Sequence, residues 1–328
     1  MWDFSTGRSI GVMIKTLPFI LLRVAVYFGI TLAYILFTGT GAGIGWGVGA
    51  LGTLEFQAMS TFWGGVIGFG ITAAVMYWVR EYILYMVKAG HIAVMVELLD
   101  NKPLPEGRSQ ISHAGTVVKE RFAEASVLFA IDQLIKGVLR AITGLLRGIL
   151  SFLPIPGVRQ LMVILYAFLR VAVGFVDEVI LAYAIRTRST NPWGSAKEAL
   201  ILYGQNYKVM LKNAAWLAVI VYSLSFVVFL LMLAPAALLV YLIPGAWSAG
   251  GFVFALLFAW SFKVALFDPF AVACLMQVYF KTIENQTPNP EWEARLEQMS
   301  GKFRKLKERA FAGGRTEPST APVEGAAL

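Results

Sequence analysis

The residues that usually build catalytic or metal sites are scarce in this chain. Its 328 residues include only two histidines, His91 and His113, and a single cysteine, Cys274. One cysteine excludes an intrachain disulfide, a CxxC redox motif and a thiolate metal site. Each histidine is isolated in sequence, and neither belongs to a metal-binding or nucleophile motif. The sequence therefore predicts no enzyme activity, no bound metal and no cofactor.

Charged residues are also few. They make up 15% of the chain, whereas hydrophobic residues make up 58%. Residues 213–262 contain no charged side chain. A transmembrane helix needs about 20 apolar residues, so this stretch can hold one long span, an uncharged turn and the first half of a second span. The sequence predicts an all-α polytopic membrane protein.

Six apolar stretches are long enough to be interpreted as transmembrane helices. They cover residues 17–38, 57–79, 125–152, 160–185, 214–242 and 251–280. The region 125–185 has an alternative, because a basic stripe opposite a wide apolar face also suits helices that lie in the membrane interface. The chain would then have four spans plus interfacial amphipathic helices. Both arrangements predict cytoplasmic N- and C-termini, because positive residues gather on the cytoplasmic side of membrane proteins.

The remaining segments belong to a single helical membrane domain of residues 1–312. We expect a cytoplasmic linker at 80–115 and a disordered tail at 313–328. Between them we expect a cytoplasmic amphipathic helix within 186–213, with Ser195 as its N-cap and Glu198 completing a capping box. A basic cytoplasmic helix is predicted at 292–311.

Two features in or directly after the first span lead to separate predictions. Glycine occupies every second position from Gly39 to Gly49. Because each glycine weakens a helix, this pattern predicts an irregular or re-entrant connector. Arg23 lies near the cytoplasmic end of the span, and we expect its long side chain to reach the interface as an anchor.

The first candidate site lies in the region 125–185. Asp132 and Lys136 share one helical stripe, and Asp177 and Glu178 interrupt the next apolar segment. If the two segments form a hairpin, these four side chains come level with one another. One carboxylate could then pair with Lys136 or Arg170, while the other binds a cation or carries a proton. A purely structural ion pair is the alternative, because buried charge networks also exist for specificity alone.

The second candidate site lies in the last span, where Lys263 and Asp268 precede Pro269. Residues five apart share a helix face only when the helix is distorted. Pro269 can supply that distortion, because it removes a backbone hydrogen bond. A broken helix at membrane depth can expose a carboxylate to a solute. The alternative is a kink whose charges pair with the neighbouring hairpin.

The distribution of charge and the position of the glycines predict what the chain contacts. The net charge is +8, but the positive residues lie at the ends of apolar segments, so we expect anionic lipid rather than nucleic acid. A glycine-rich face on the second span, formed by Gly64, Gly65, Gly68 and Gly70, permits a close helix contact that includes a homo-oligomeric one. Compact loops and spans rich in glycine and alanine favour a bacterial inner membrane.

The second half has the layout of a known family. It contains "RFAEASVLFAIDQLIKGVLRAI", then "RTRSTNPWGSAKEALILYGQN", a long apolar span and "FDPFAVACLMQVYFKTIEN". Over residues 115–286 this order resembles the choline transporter-like family, with Ser195-Ala196-Lys197 and Glu284-Asn285 at matching places. The first half lacks the large extracellular loop of that family. The resemblance implies movement of choline or a related quaternary amine, and it assigns no binding residue.

Two classes of function fit these observations. The first is a multi-pass transporter of a small solute, with a cationic one favoured, in which the intramembrane charges line or brace a polar path. The second is a membrane scaffold or assembly component of an envelope or secretion complex, whose basic helices bind lipid or a protein partner.

Overall fold

The computed structural model describes residues 1–104, 109–122, 125–151, 174–188, 191–242 and 248–313. Every regular element within these ranges is a helix. The α-helices in chain order are α1 (Thr6–Lys15), α2 (Leu17–Gly49), α3 (Leu54–Leu99), α4 (Gln110–Phe122), α5 (Ala125–Ser151), α6 (Val176–Thr187), α7 (Pro192–Gln205), α8 (Tyr207–Leu242), α9 (Ser248–Phe262), α10 (Asp268–Thr282), α11 (Pro290–Met299) and α12 (Gly301–Gly313). A π-helical turn, Lys263–Phe267, joins α9 to α10.

Four helical stretches of the described chain are long and apolar enough to cross a membrane. They are Leu17–Gly49, Leu54–Tyr77, Tyr207–Leu238 and Ala255–Thr282. The prediction of an all-helical protein with membrane-spanning segments is confirmed at this level. Of the two further predicted spans, 125–152 coincides with α5, which is not among the four, and residues 160–173 lie outside the described part of the chain.

The glycine-rich stretch is helical, so the predicted connector at Gly39–Gly49 is wrong. Gly41, Gly45 and Gly49 are four residues apart and share one face of α2. A Cβ atom on Gly41 would collide with the Gly64 backbone, one on Gly45 with the Ser60 backbone, and one on Gly49 with Gln57. The alternate glycines, Gly39, Gly43 and Gly47, have open space around them. The low helix propensity of glycine is offset because α2 and α3 approach each other closely along this face.

A matched pair of substitutions tests this contact. Gly45→Ala should destabilise the hairpin by about 1–3 kcal/mol, because its methyl group overlaps the Ser60 backbone. Gly43→Ala introduces the same methyl group into open space and should be neutral or slightly stabilising. Thermal unfolding of the purified protein in detergent measures both. Equal midpoints for the two variants would contradict the close packing of α2 on α3.

The two helical hairpins, α2–α3 and α8–α9, leave more apolar surface exposed than the rest of the molecule. At the tip between α2 and α3, Leu51 is 90% exposed and Leu54 86% exposed, and apolar side chains remain exposed along both hairpins. The end of α3, helices α4–α7, the first half of α8 and helices α10–α12 instead form a compact core together with Phe4 and Val12, and fully buried residues such as Ile92, Leu202 and Tyr279 lie within it. We call this core the base bundle. The exposed apolar surface of the described chain is therefore concentrated on the two hairpins.

The structure gives the secondary structure of three expected polar segments. The predicted linker at 80–115 is mostly helical, since α3 continues to Leu99 and α4 begins at Gln110. The predicted helix within 186–213 is divided between α6, α7 and α8, and α7 is capped by Asn191, whose side chain accepts from the Gly194 N–H, rather than by Ser195. The predicted helix at 292–311 is two helices, because Ser300 is extended and caps α12. Residues 314–328 of the predicted tail lie outside the described chain.

Candidate functional site

Five charged side chains from three helices meet inside the base bundle. Lys88 lies on α3, Asp132 and Lys136 lie one turn apart on α5, and Asp177 and Glu178 lie in the first turn of α6. Carboxylates are favoured in the first turn of a helix, because unpaired backbone N–H groups give that end a partial positive charge. We call these five residues the junction cluster, since their ion pairs join α3, α5 and α6.

Distances within the junction cluster show a continuous chain of ion pairs. Lys88 Nζ lies 2.6 Å from Glu178 Oε1 and 3.4 Å from Asp177 Oδ2. Lys136 Nζ lies 2.6 Å from Asp132 Oδ2 and 4.0 Å from Asp177 Oδ2. Asp177 therefore connects the two lysines, and the chain runs from the half-exposed Lys136 to the buried Glu178.

The structure brings together four of the residues that the sequence singled out and adds one that it missed. Asp132, Lys136, Asp177 and Glu178 do lie together, but the main cation facing Asp177 and Glu178 is Lys88. The other proposed partner, Arg170, lies outside the described residues. A signal for Lys88 existed, because it is isolated in the apolar stretch "YILYMVKAGHIAVMV", and a lone lysine in such a stretch needs a buried partner.

Burial and neighbouring charge shift the proton affinities of the junction cluster. Burial, together with the nearby Asp177 carboxylate, raises the pKa of Asp132 to about 7. Burial also raises the pKa of Glu178, against the opposing effect of Lys88. Burial alone would lower the pKa of Lys88, but Asp177 and Glu178 outweigh it and hold the pKa above its ordinary value. Lys88 therefore stays charged, while Asp132 can take up a proton near neutral pH.

The protonation of Asp132 predicts a pH dependence of stability. Its pKa in the folded chain exceeds the ordinary value of 3.8, so its contribution to stability is full below about pH 4 and is lost as the pH rises through about 7. The groups that face it are Lys136, Asp177, Lys88 and Tyr85. Thermal unfolding between pH 5 and 8 should show a decline that is shallower in Asp132→Asn. An identical decline in both proteins would contradict this assignment.

Two further polar residues lie beside the junction cluster. His91 is fully buried, its Nε2 lies 2.9 Å from Thr16 Oγ1, and its ring stacks on Phe19 with centroids 5.3 Å apart. Arg23, one turn after Phe19 on α2, is only 3% exposed. The expectation that Arg23 anchors the chain at the interface is therefore wrong, because its side chain is buried inside the folded chain.

The second predicted site has a well-defined geometry. Lys263 Nζ and Asp268 Oδ1 are 2.7 Å apart. They lie at the two ends of the π-helical turn, where the Asp268 backbone N–H donates to the Lys263 carbonyl, five residues back. Pro269, which has no N–H to donate, follows at the start of α10. The distortion thus brings two residues, which a regular helix would separate, onto one side.

The two candidate sites can act mainly through electrostatic interactions. Among the described residues, no three histidine, cysteine or carboxylate side chains form a group that could hold a metal ion. When all are ionised, the three carboxylates and two lysines of the junction cluster carry a net charge of −1, which favours binding of a cation. Comparison of the chain with protein-family models, with curated proteins and with solved structures finds no match.

Proposed function

We propose that this chain is a membrane transporter of a small solute that carries a positive charge. The observation that carries the proposal is the junction cluster, in which three buried carboxylates face two lysines where α3, α5 and α6 meet. Ion pairs that are removed from water seldom add stability relative to apolar residues of similar size. A cluster of five such groups is therefore better explained by an interaction with a charged solute.

Two oxygens of the junction cluster support binding rather than pure pairing. Asp177 Oδ1 and Glu178 Oε2 are buried and have no hydrogen-bond partner among the described residues. Buried polar atoms are nearly always hydrogen-bonded. An ammonium group in this position would satisfy these oxygens and neutralise the negative charge that the two lysines leave.

The proposed arrangement has four spans, with the base bundle in the cytoplasm of a bacterium and the hairpins in its inner membrane. Exposed basic side chains on the base bundle support this orientation, because they follow the positive-inside rule. They include Arg186, Arg188, Lys302, Arg304, Lys305 and Arg309. The layout shared with the choline transporter-like family makes choline the first solute to test.

Uptake by proteoliposomes tests the proposal. The unaltered chain should accumulate labelled choline or ethanolamine above the level of empty liposomes. Glu178→Gln and Asp177→Asn should each lower the rate about 10- to 100-fold, the effect of losing one charge-assisted hydrogen bond. Glu297→Gln removes a carboxylate from a surface ion pair with Lys307 and should leave uptake unchanged. No uptake by folded protein, or equal rates in all variants, would refute the transporter.

A scaffold is the second candidate, and the surface of α12 favours it. Lys302, Arg304, Lys305 and Arg309 are exposed on this helix, while Phe303 and Leu306 fix it to the base bundle. Such a rigid basic surface suits anionic lipid headgroups or an acidic protein partner. A scaffold would keep its partner through purification in the Glu178→Gln variant, whereas a transporter would lose only its flux.

A further inference from the structure

Arg23 is placed beside the junction cluster by the pairing of α2 with α3. Its neighbour one turn earlier, Phe19, stacks on His91 of α3. Lys88 lies three residues before His91, on the adjoining turn of the same helix. Because the two helices are antiparallel, Arg23 faces the part of α3 that carries Lys88. Its charge acts on both neighbours, opposing the rise in the pKa of Glu178 and adding to the effect of burial that lowers the pKa of His91.

Among the side chains that the structure describes, which do not include that of Glu81, no ion-pair or hydrogen-bond partner of Arg23 is found. Its side chain is only 3% exposed, and its Nη1 atom makes no hydrogen bond. A buried guanidinium cannot become neutral by losing its proton, because the pKa of this group is too high. An unpaired buried charge of this kind is among the least favourable arrangements in a folded protein. The arrangement indicates an anionic partner from outside the chain.

The other unpaired polar atoms near Arg23 are hydrogen-bond acceptors, whereas Arg23 is a donor. The Thr16 hydroxyl donates to the Val12 carbonyl, so it accepts from His91 Nε2–H, and His91 Nδ1 keeps a free lone pair. This Nδ1 atom, Asp177 Oδ1 and Glu178 Oε2 are all buried without a hydrogen-bond donor among the described residues. One unpaired donor group on α2 and three unpaired acceptors on α3 and α6 therefore lie within or beside the junction cluster.

We propose that this junction binds a small zwitterion, with its anionic group on Arg23 and its ammonium group on Asp177 and Glu178. The inference rests on the proposed function and deepens it, because it names the class of solute. A simple cation would leave Arg23 unpaired, and a simple anion would meet the carboxylates. Lys88 keeps its pairs with Glu178 Oε1 and Asp177 Oδ2, since the zwitterion uses the other oxygen of each carboxylate.

Two matched pairs of labelled compounds test the inference by equilibrium dialysis of the full chain in detergent. Glycine is compared with ethanolamine, and glycine betaine with choline, because the members of each pair share an ammonium group and differ in the carboxylate. At least one zwitterion should bind about 10- to 100-fold more tightly than its partner. Arg23→Gln should abolish that preference while leaving the affinity for the simple cation unchanged. Arg23→Lys should retain part of it.

The control variant is Arg304→Gln, which removes an exposed arginine of α12 and should keep the preference. Thermal unfolding shows which variants are folded, and Arg23→Lys supplies a charged variant in case Arg23→Gln does not fold. Absence of binding by both zwitterions, equal affinities within each pair, or a preference that survives Arg23→Gln would overturn the inference. Binding that depends on Arg23 without uptake by proteoliposomes refutes transport alone, whereas uptake that is indifferent to Arg23 refutes the zwitterion site alone.

Discussion

Replacement of Lys88 by methionine should destabilise the protein by about 3–5 kcal/mol, the usual effect of removing one partner from a buried ion pair. Lys88 lies within 3.4 Å of both Asp177 and Glu178, whose side chains are buried. Methionine keeps most of the volume of lysine but removes the charge. The two carboxylates would then repel each other inside the base bundle, so that one of them must be protonated or the helices must separate.

Two companion variants make this result specific. Lys102→Met removes an exposed lysine that pairs with Asp100 at 3.4 Å, and it should change stability by less than about 1 kcal/mol. The double variant Lys88→Met with Glu178→Gln removes both charges and should recover much of the lost stability. Thermal or denaturant unfolding in detergent measures all three. A Lys88→Met protein as stable as Lys102→Met would show that the carboxylates do not depend on this lysine.

Replacement of Asp268 by asparagine should destabilise the protein by about 3 kcal/mol. This change leaves the Lys263 ammonium without its carboxylate, 2.7 Å away, inside the last candidate span. An unpaired charge in an apolar span is unfavourable, because no water is available to solvate it. The double variant Lys263→Met with Asp268→Asn should be close to the unaltered chain.

The matched control for this pair is Lys307→Met. Lys307 Nζ lies at the same distance of 2.7 Å from Glu297 Oε2 and 3.1 Å from Glu293 Oε1, but these pairs are on the surface of α11 and α12. Loss of this surface interaction should lower the free energy of unfolding by less than about 1 kcal/mol. If Asp268→Asn and Lys307→Met shift the unfolding midpoint equally, then the pair in the π-helical turn is solvated, and the last span does not hold it in an apolar environment.

The membrane class could be predicted from sequence because it depends on composition over long windows. The hairpin at 213–262 needs only an uncharged stretch of sufficient length and a turn, and the structure places α8 and α9 there. The distortion near Pro269 was predictable for a similar reason, since it follows from the missing N–H of proline. The glycines at 39–49 led to a wrong prediction because their packing partner, α3, is not visible in the local sequence.

Four residues of the junction cluster were predicted from the sequence. Lys88 was missed because α3 is longer than the predicted span. Asp132, Lys136, Asp177 and Glu178 stood out because each is a charge in an apolar segment. Lys88 was overlooked because the second span was expected to end near residue 79, whereas α3 continues to Leu99 as part of the base bundle. Arg23 was misjudged because a snorkelling arginine and a buried one have the same sequence pattern, and only the tertiary fold separates them.

The most direct test of the account is solute uptake by the double variant Lys88→Met with Glu178→Gln. This protein lacks the charges of the central pair but should remain folded, so stability and function are separated in one molecule. If the junction cluster is the path of the solute, the unfolding midpoint should lie near that of the unaltered chain and uptake should be no greater than that of empty liposomes. Uptake at the rate of the unaltered chain would contradict the account, because the junction cluster would then be a structural ion-pair network through which no solute passes.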